Sequence, residues 1–250
     1  MAAEDNGPIL SRYSQLARAA LRGEAIRDGE PEDGCFGAAA YADRSQAPEA
    51  AFQASLGCGN PLTVADLRPG ETVLDLGSGG GLDVLLSARR VAPEGIAYGL
   101  DASPDMLTLA RANAGKARIT NARFLHGGIE NIPLPDDHVD VIISNCVINL
   151  SGDKPRVLAE AFRVLRPGGR LAVSDVTADE NVNTSELARA EQQVGCLAGT
   201  LTQPDYLRLL IAAGFCDITI ATTNVASDGL HSAVIRARKP IDDRPELPQT

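Results

Sequence analysis

The chain has 250 residues, with 33 acidic against 23 basic side chains and a formal net charge of −10. That length suits one α/β domain with smaller additions, and the acidic balance speaks against nucleic acid and anionic membranes, which demand basic surfaces. No apolar run approaches the roughly 20 residues of a membrane-spanning helix, and Met1–Gly7 lacks the basic and apolar regions of a signal peptide, so the expectation is a cytoplasmic protein of unspecified oligomeric state.

Ile9, Leu10, Tyr13, Leu16, Ala17, Ala20 and Leu21 recur at helical spacing and predict a helix over 8–27. A Gly-, Ala-, Asp- and Pro-rich loop carrying Cys35 and Tyr41 follows, then a short helix over Ala50–Leu56 stopped by Gly57-Cys58-Gly59-Asn60-Pro61. From Gly70 onward strands and helices alternate. Strands are predicted at Thr72–Leu76, Gly95–Asp101, Ala122–His126, Val139–Ser144 and Arg170–Asp175. Helices are predicted at Leu82–Arg90, at Pro104–Lys116 with Ser103 as N-cap, and at Lys154–Val164, stopped by Pro167-Gly168-Gly169. Such alternation means a mostly parallel, doubly wound sheet with crossover helices. Glu186–Leu197 and Gln203–Ala213 read as further helices. Ile218–Asn224 and His231–Arg238 read as an antiparallel closing pair, and the polar tail from Pro240 as disordered.

Asp75-Leu76-Gly77-Ser78-Gly79-Gly80-Gly81 follows a strand and opens a helix, the context of a nucleotide-binding loop. The dinucleotide fingerprint GxGxxG is not met, because Leu82 stands at its last position. Asp75 would repel a pyrophosphate but favour a cationic sulfonium and ammonium, and Asp101, ending the second strand, is placed to accept hydrogen bonds from ribose hydroxyls. The five cysteines form no CxxC pair, and the three histidines no cluster, so neither a disulfide framework nor a zinc site is expected.

From Leu67 to Asp175 these features, with Arg163-Val164-Leu165-Arg166-Pro167-Gly168-Gly169, resemble the class I S-adenosylmethionine-dependent methyltransferases. The resemblance implies a seven-stranded sheet with an N-terminal cap and a helical insertion near 178–206. It also implies cofactor binding by Asp75, Gly77, Gly79, Asp101, Ile129, Glu130 and Asn145. Ile129 would supply apolar contact to adenine. Glu130 would lie near its amino group or stand as a surface carboxylate, and Asn145 would lie near the methyl-transfer point. Three cysteine segments, Ser55–Pro61, Ser144–Lys154 and Val194–Gly199, are similar more narrowly to the arsenite methyltransferases, in which these cysteines are the arsenic thiol ligands. That role carries over to Cys58, Cys146 and Cys196.

Trivalent arsenic is thiophilic, and thiolates select soft centres. Its lone pair can attack a sulfonium methyl without a general base, which suits a sequence with no His-based acid–base constellation. The resemblance divides the chain into an N-terminal helix and cap (1–66), a Rossmann-like core (67–177), an arsenic-binding insertion with closing strands (178–239) and a tail (240–250). It implies arsenic delivered as a thiol complex, an external reductant of glutathione or thioredoxin type, and detoxification as the role. Cys35 is either a redox partner of Cys58 or a spectator thiol; Cys216, before a strand, reads as packing. The Cys58 segment, lying outside the sheet between glycines, is expected to move. Two rivals remain: a methyltransferase for a small organic acceptor with cysteines merely lining its pocket, and a non-catalytic metalloid-binding protein.

Overall fold

The computed structural model describes residues 7–24, 40, 41, 43–55, 57–180, 182, 199–227 and 229–241, without the side chains of 8, 9 and 225–227. Eight strands form one sheet: β1 (Thr72–Leu76), β2 (Ile96–Asp101), β3 (Ala122–His126), β4 (Val139–Asn145), β5 (Leu165–Ala178), β6 (Leu201–Thr202), β7 (Cys216–Ser227) and β8 (Leu230–Arg238). The main path runs β3-β2-β1-β4-β5-β8-β7, and the two-residue β6 pairs with the end of β5. Strands β1 to β6 pair parallel, whereas β8 and β7 add antiparallel. The seven expected strands are thus present, joined by β6.

Six helices flank the sheet among the described residues: α1 (Gly7–Arg22), α2 (Glu49–Gln53), α3 (Leu82–Val91), α4 (Pro104–Ala117), α5 (Lys154–Val164) and α6 (Gln203–Ala212). Three start in the same way, with a side-chain oxygen accepting a backbone N–H and a proline in the first turn. Ser103 accepts from Met106, Asp153 from Arg156 and Thr202 from Asp205. Helix α1 ends at Arg22, short of the expected residue 27, because Gly23 turns left-handed at φ +72 and Glu24 N–H donates to Ala19 O. Strand β5 begins at Leu165, ahead of the Pro-Gly-Gly stop. Leu165 pairs with Val139, and the next registered pair is Arg170 with Val141. Pro167 to Gly169 therefore lie in an irregularity of a strand rather than before it. The predicted helix over 186–197 and the tail from 242 lie outside the described residues.

Each sheet face carries its own core. Leu74, Leu76, Ile142 and Val173 pack with Leu158 of α5 and Tyr206 of α6, while Val73, Val141, Ile143 and Ala172 pack with Leu86 of α3 and Phe52 of α2. Leu16, Ala17 and Ala20 of α1 close over Met106 and Leu109 of α4. Order reverses between β1 and β4, so the strand ends there open a crevice, the usual ligand position in such sheets.

Arg163 fastens α5 to the loop before β4. It donates to both carboxylate oxygens of the buried Glu160, to Ile132 O and Leu134 O, and to Asp136. Glu160 keeps only Ile132 N–H and a longer contact with Arg156 if that guanidinium is removed. Arg163→Ala is expected to lose about 2–3 kcal/mol, below the full cost of breaking a buried pair because Arg163 is partly exposed. Urea unfolding checks this as a lower midpoint at unchanged slope.

Candidate active site

The cleft at the β1–β4 switch point has a volume of about 210 Å³. Gly77, Gly79 and Gly81 all have positive φ. At Gly77 a Cβ would run into Val147, so the loop after β1 closes on the loop after β4 only with glycine there. Gly79 faces open space at φ +49 and donates its N–H to Asp101 Oδ2 at 2.8 Å. Asp101 Oδ1 accepts from Ser103 N–H at 2.8 Å. Burial raises the Asp101 pKa, and these two N–H groups oppose the rise.

Asp75 is 3 % exposed, and among the described residues no donor meets its carboxylate. Burial, then Asp83, then Asp101 push its pKa well above the ordinary value. A buried carboxylate facing a cleft without a partner suits a cationic ligand, because the unpaired charge is otherwise costly. Ile129, Glu130 and Asn145 also line the cleft. Glu130 Oε1 accepts from Ser151 Oγ at 2.5 Å, which fixes the carboxylate from the β4 side. Asn145 Nδ2 donates to Gly59 O at 2.8 Å and to Tyr41 Oη at 3.1 Å, while its Oδ1 is buried without a partner. Tyr41 in turn donates to Asp83 at 2.7 Å, in a buried contact joining the N-terminal cap to α3.

Beside the cleft lie two buried thiols. Cys146 is 6 % exposed and sits just past β4 at φ +62, a left-handed conformation uncommon for a residue with a Cβ. Its N–H donates to Ser174 O, so the ladder to β5 holds it in that geometry. Cys58 is 1 % exposed and packs with Cys146, Val176, Ala178 and Leu230. A Cβ on Gly57 would overlap the Asn145 amide, and one on Gly59 the Ser174 hydroxyl. The glycines around Cys58 therefore permit close packing of its loop on the ends of β4 and β5.

The structure adds a carboxylate that sequence reasoning missed. Cys58, Cys146 and Asp175 offer two sulfurs and an oxygen that all lie within 4.8 Å of one another. Asp175 Oδ1 accepts from Asn149 Nδ2 at 2.8 Å and Val176 N–H at 3.0 Å. Its Oδ2 accepts from Tyr206 at 3.3 Å, and the Cys146 thiol also donates to the carboxyl group. Burial pushes Asp175 up to about 7, opposed by the Val176 N–H, Tyr206, Cys146 and the charge of Lys154. A carboxylate ending a parallel strand is a signal that could have flagged Asp175; nothing in the sequence flags Tyr206, Asn149 or the Tyr41–Asp83 pair. Cys196 and Cys35 lie outside the described residues. Cys216 stands apart at the start of β7, its thiol donating to Arg238 O.

A methyltransferase domain family model matches residues 67–214. The chain is 43% identical over 201 residues to the arsenite methyltransferase of Halobacterium salinarum, an alignment covering 75% of this chain and 51% of that protein. The chain spans about half the length of the curated relatives it matches. An arsenic(III) S-adenosylmethionine methyltransferase from Chlamydomonas reinhardtii superposes with TM-score 0.66 at 30% identity, over 92% of this chain and 75% of that one. The [4+2]-cyclase SpnF superposes with TM-score 0.67 at 20% identity, over 93% and 95%, a likeness of fold alone.

Proposed function

The chain belongs to the methyltransferase domain family and, within it, to the arsenite methyltransferases, and on that premise we propose that it transfers the methyl group of S-adenosylmethionine to trivalent arsenic held on its own cysteines. The observation that carries the reading is the pair of buried thiols, Cys58 and Cys146, beside a cleft built from the glycine loop, Asp75 and Asp101. Asp75 offers its unpaired carboxylate to the cationic end of the methyl donor, and Asp101 its remaining lone pairs to the ribose hydroxyls. S-adenosylmethionine supplies an electrophilic sulfonium methyl.

The cysteines do the rest by ligation and alignment. Arsenite exchanges hydroxide for thiolate, each exchange releasing water, and keeps its lone pair at the apex of a sulfur pyramid. Bond formation from that lone pair to the methyl carbon sends the C–S bonding pair to sulfur, so no general base is required. Arsenic is thereby raised to the pentavalent level. Two of its thiolates leaving together as a disulfide return an electron pair to it, and water or external thiol takes the vacated valence of the trivalent methylarsenic product. The external thiol then has a disulfide to reduce. Cys196 is the proposed third thiol. An external thiol of glutathione or thioredoxin type delivers arsenic as a complex and restores reduced cysteines, Cys35 being a candidate redox partner of Cys58. A cytoplasmic, detoxifying role accompanies this reading; no helix among the described residues is long and apolar enough to cross a membrane.

Arsenic speciation after incubation with arsenite, S-adenosylmethionine and thiol is the test. Methylated arsenic with stoichiometric S-adenosylhomocysteine is expected; neither product appearing would overturn the reading, and methylation of a small organic acceptor instead would establish the rival. Asp101→Ala is expected to weaken S-adenosylmethionine binding by roughly 1.5–3 kcal/mol, the range for hydrogen bonds involving a charged group. Calorimetry reads this directly as a higher Kd.

A further inference from the structure

We propose that Cys58, Cys146 and Asp175 together form a binding site for a thiophilic divalent cation of the zinc and cadmium class, one that competes with arsenic for the same two thiols. The three donor atoms lie within 4.8 Å of one another and all three residues are buried. Two sulfurs on one zinc ion, each about 2.3 Å away, sit no more than about 4.6 Å apart, so small side-chain rotations bring the set onto one centre. No spacing signature announces this set, because its members come from the loop before β1, the end of β4 and the end of β5.

Asp175 is the residue that separates the two ligand classes. Trivalent arsenic completes its bonding with sulfur and has no use for a buried carboxylate. A divalent cation does: two thiolates and a carboxylate give it three protein ligands and leave a fourth position open. Asn149, Tyr206 and the Val176 N–H already hold the Asp175 oxygens in place, the kind of support that ligating carboxylates receive. Burial otherwise drives Asp175 toward its neutral form, and a cation on the three donors holds it ionised. Binding releases the thiol protons to solvent, including the one Cys146 shares with Asp175.

The test is titration of the reduced, full-length protein with cadmium chloride, read by thiolate-to-metal absorption and by calorimetry, with zinc chloride as competitor. One ion per chain is expected at this site. Binding should be lost in Cys58→Ser and Cys146→Ser, weakened at least tenfold in Asp175→Asn and unchanged in Cys216→Ser, whose thiol stands apart at the start of β7. X-ray absorption on the cadmium-loaded wild-type protein keeps the test decisive if Asp175→Asn fails to fold: two sulfur neighbours with oxygen are expected. Cadmium coordinated by sulfur alone, loss of binding in Cys216→Ser, or wild-type affinity in a folded Asp175→Asn would each overturn the site. Methylation plays no part in these readouts, so failure of the methyltransferase reading and failure of the cation site are distinguishable.

Discussion

Cys146→Ser is expected to abolish methylation of arsenite while leaving the fold and S-adenosylmethionine affinity nearly intact. The loss should far exceed the roughly 10–100-fold cost of removing a residue that merely supports a ligand. A serine hydroxyl is a hard donor, protonated at neutral pH, and replaces a thiolate on a soft centre poorly. The fold should survive for reasons visible in the structure. Serine is close to isosteric with cysteine, keeps the N–H donated to Ser174 O, and places a hydroxyl where Asp175 already accepts from the thiol. A buried hydroxyl with an acceptor carries little penalty. Thermal unfolding and cofactor calorimetry on the same preparation separate loss of ligation from loss of structure. Near-wild-type turnover would sink the ligand assignment. Cys196→Ser is expected to behave alike, its motif being one of the three on which the arsenic reading rests.

The strand–helix alternation was legible because its signals are local. Thr72–Leu76, Ala122–His126 and Lys154–Val164 have the bounds that pattern and breakers predict, and Ser103 caps α4 through its own side chain. The start of β5 was not legible, since pairing across the sheet overrides the Pro-Gly-Gly stop. The glycine loop and the two strand-end aspartates on which the proposed cofactor side rests are short-range marks, and they line one cleft. What escaped is what the topology assembles. Tyr41 reaches Asp83 across 42 positions and Tyr206 reaches Asp175 across 31, and no period or spacing encodes such meetings. The glycines flanking Cys58 are ambiguous in sequence for a related reason. Glycine marks either freedom or close approach, and only the neighbours Asn145 and Ser174 decide between them.

Cys58→Ser should divide the two methylation steps, with loss of activity on arsenite and retention of most activity on trivalent methylarsenite. Arsenite has three exchangeable bonds and can engage three thiolates, whereas methylarsenite has given one valence to carbon and can engage two. One thiol is therefore dispensable for the second substrate. Cys58 is the candidate because it belongs to a segment outside the sheet, whereas Cys146 is fixed by the β4–β5 ladder. Its loop is held in place by Asn145 Nδ2 on Gly59 O, a contact the serine variant leaves untouched, so the cleft should keep its shape. A Cys58 thiol freed from arsenic is the one proposed to enter a transient disulfide that external thiols reduce, with Cys35 as the proposed partner. Rates on the two substrates, measured on one preparation at saturating S-adenosylmethionine, give the ratio directly. Equal loss on both would show Cys58 to be a permanent member of the arsenic site, bound through every step, or a packing residue whose removal disturbs Cys146.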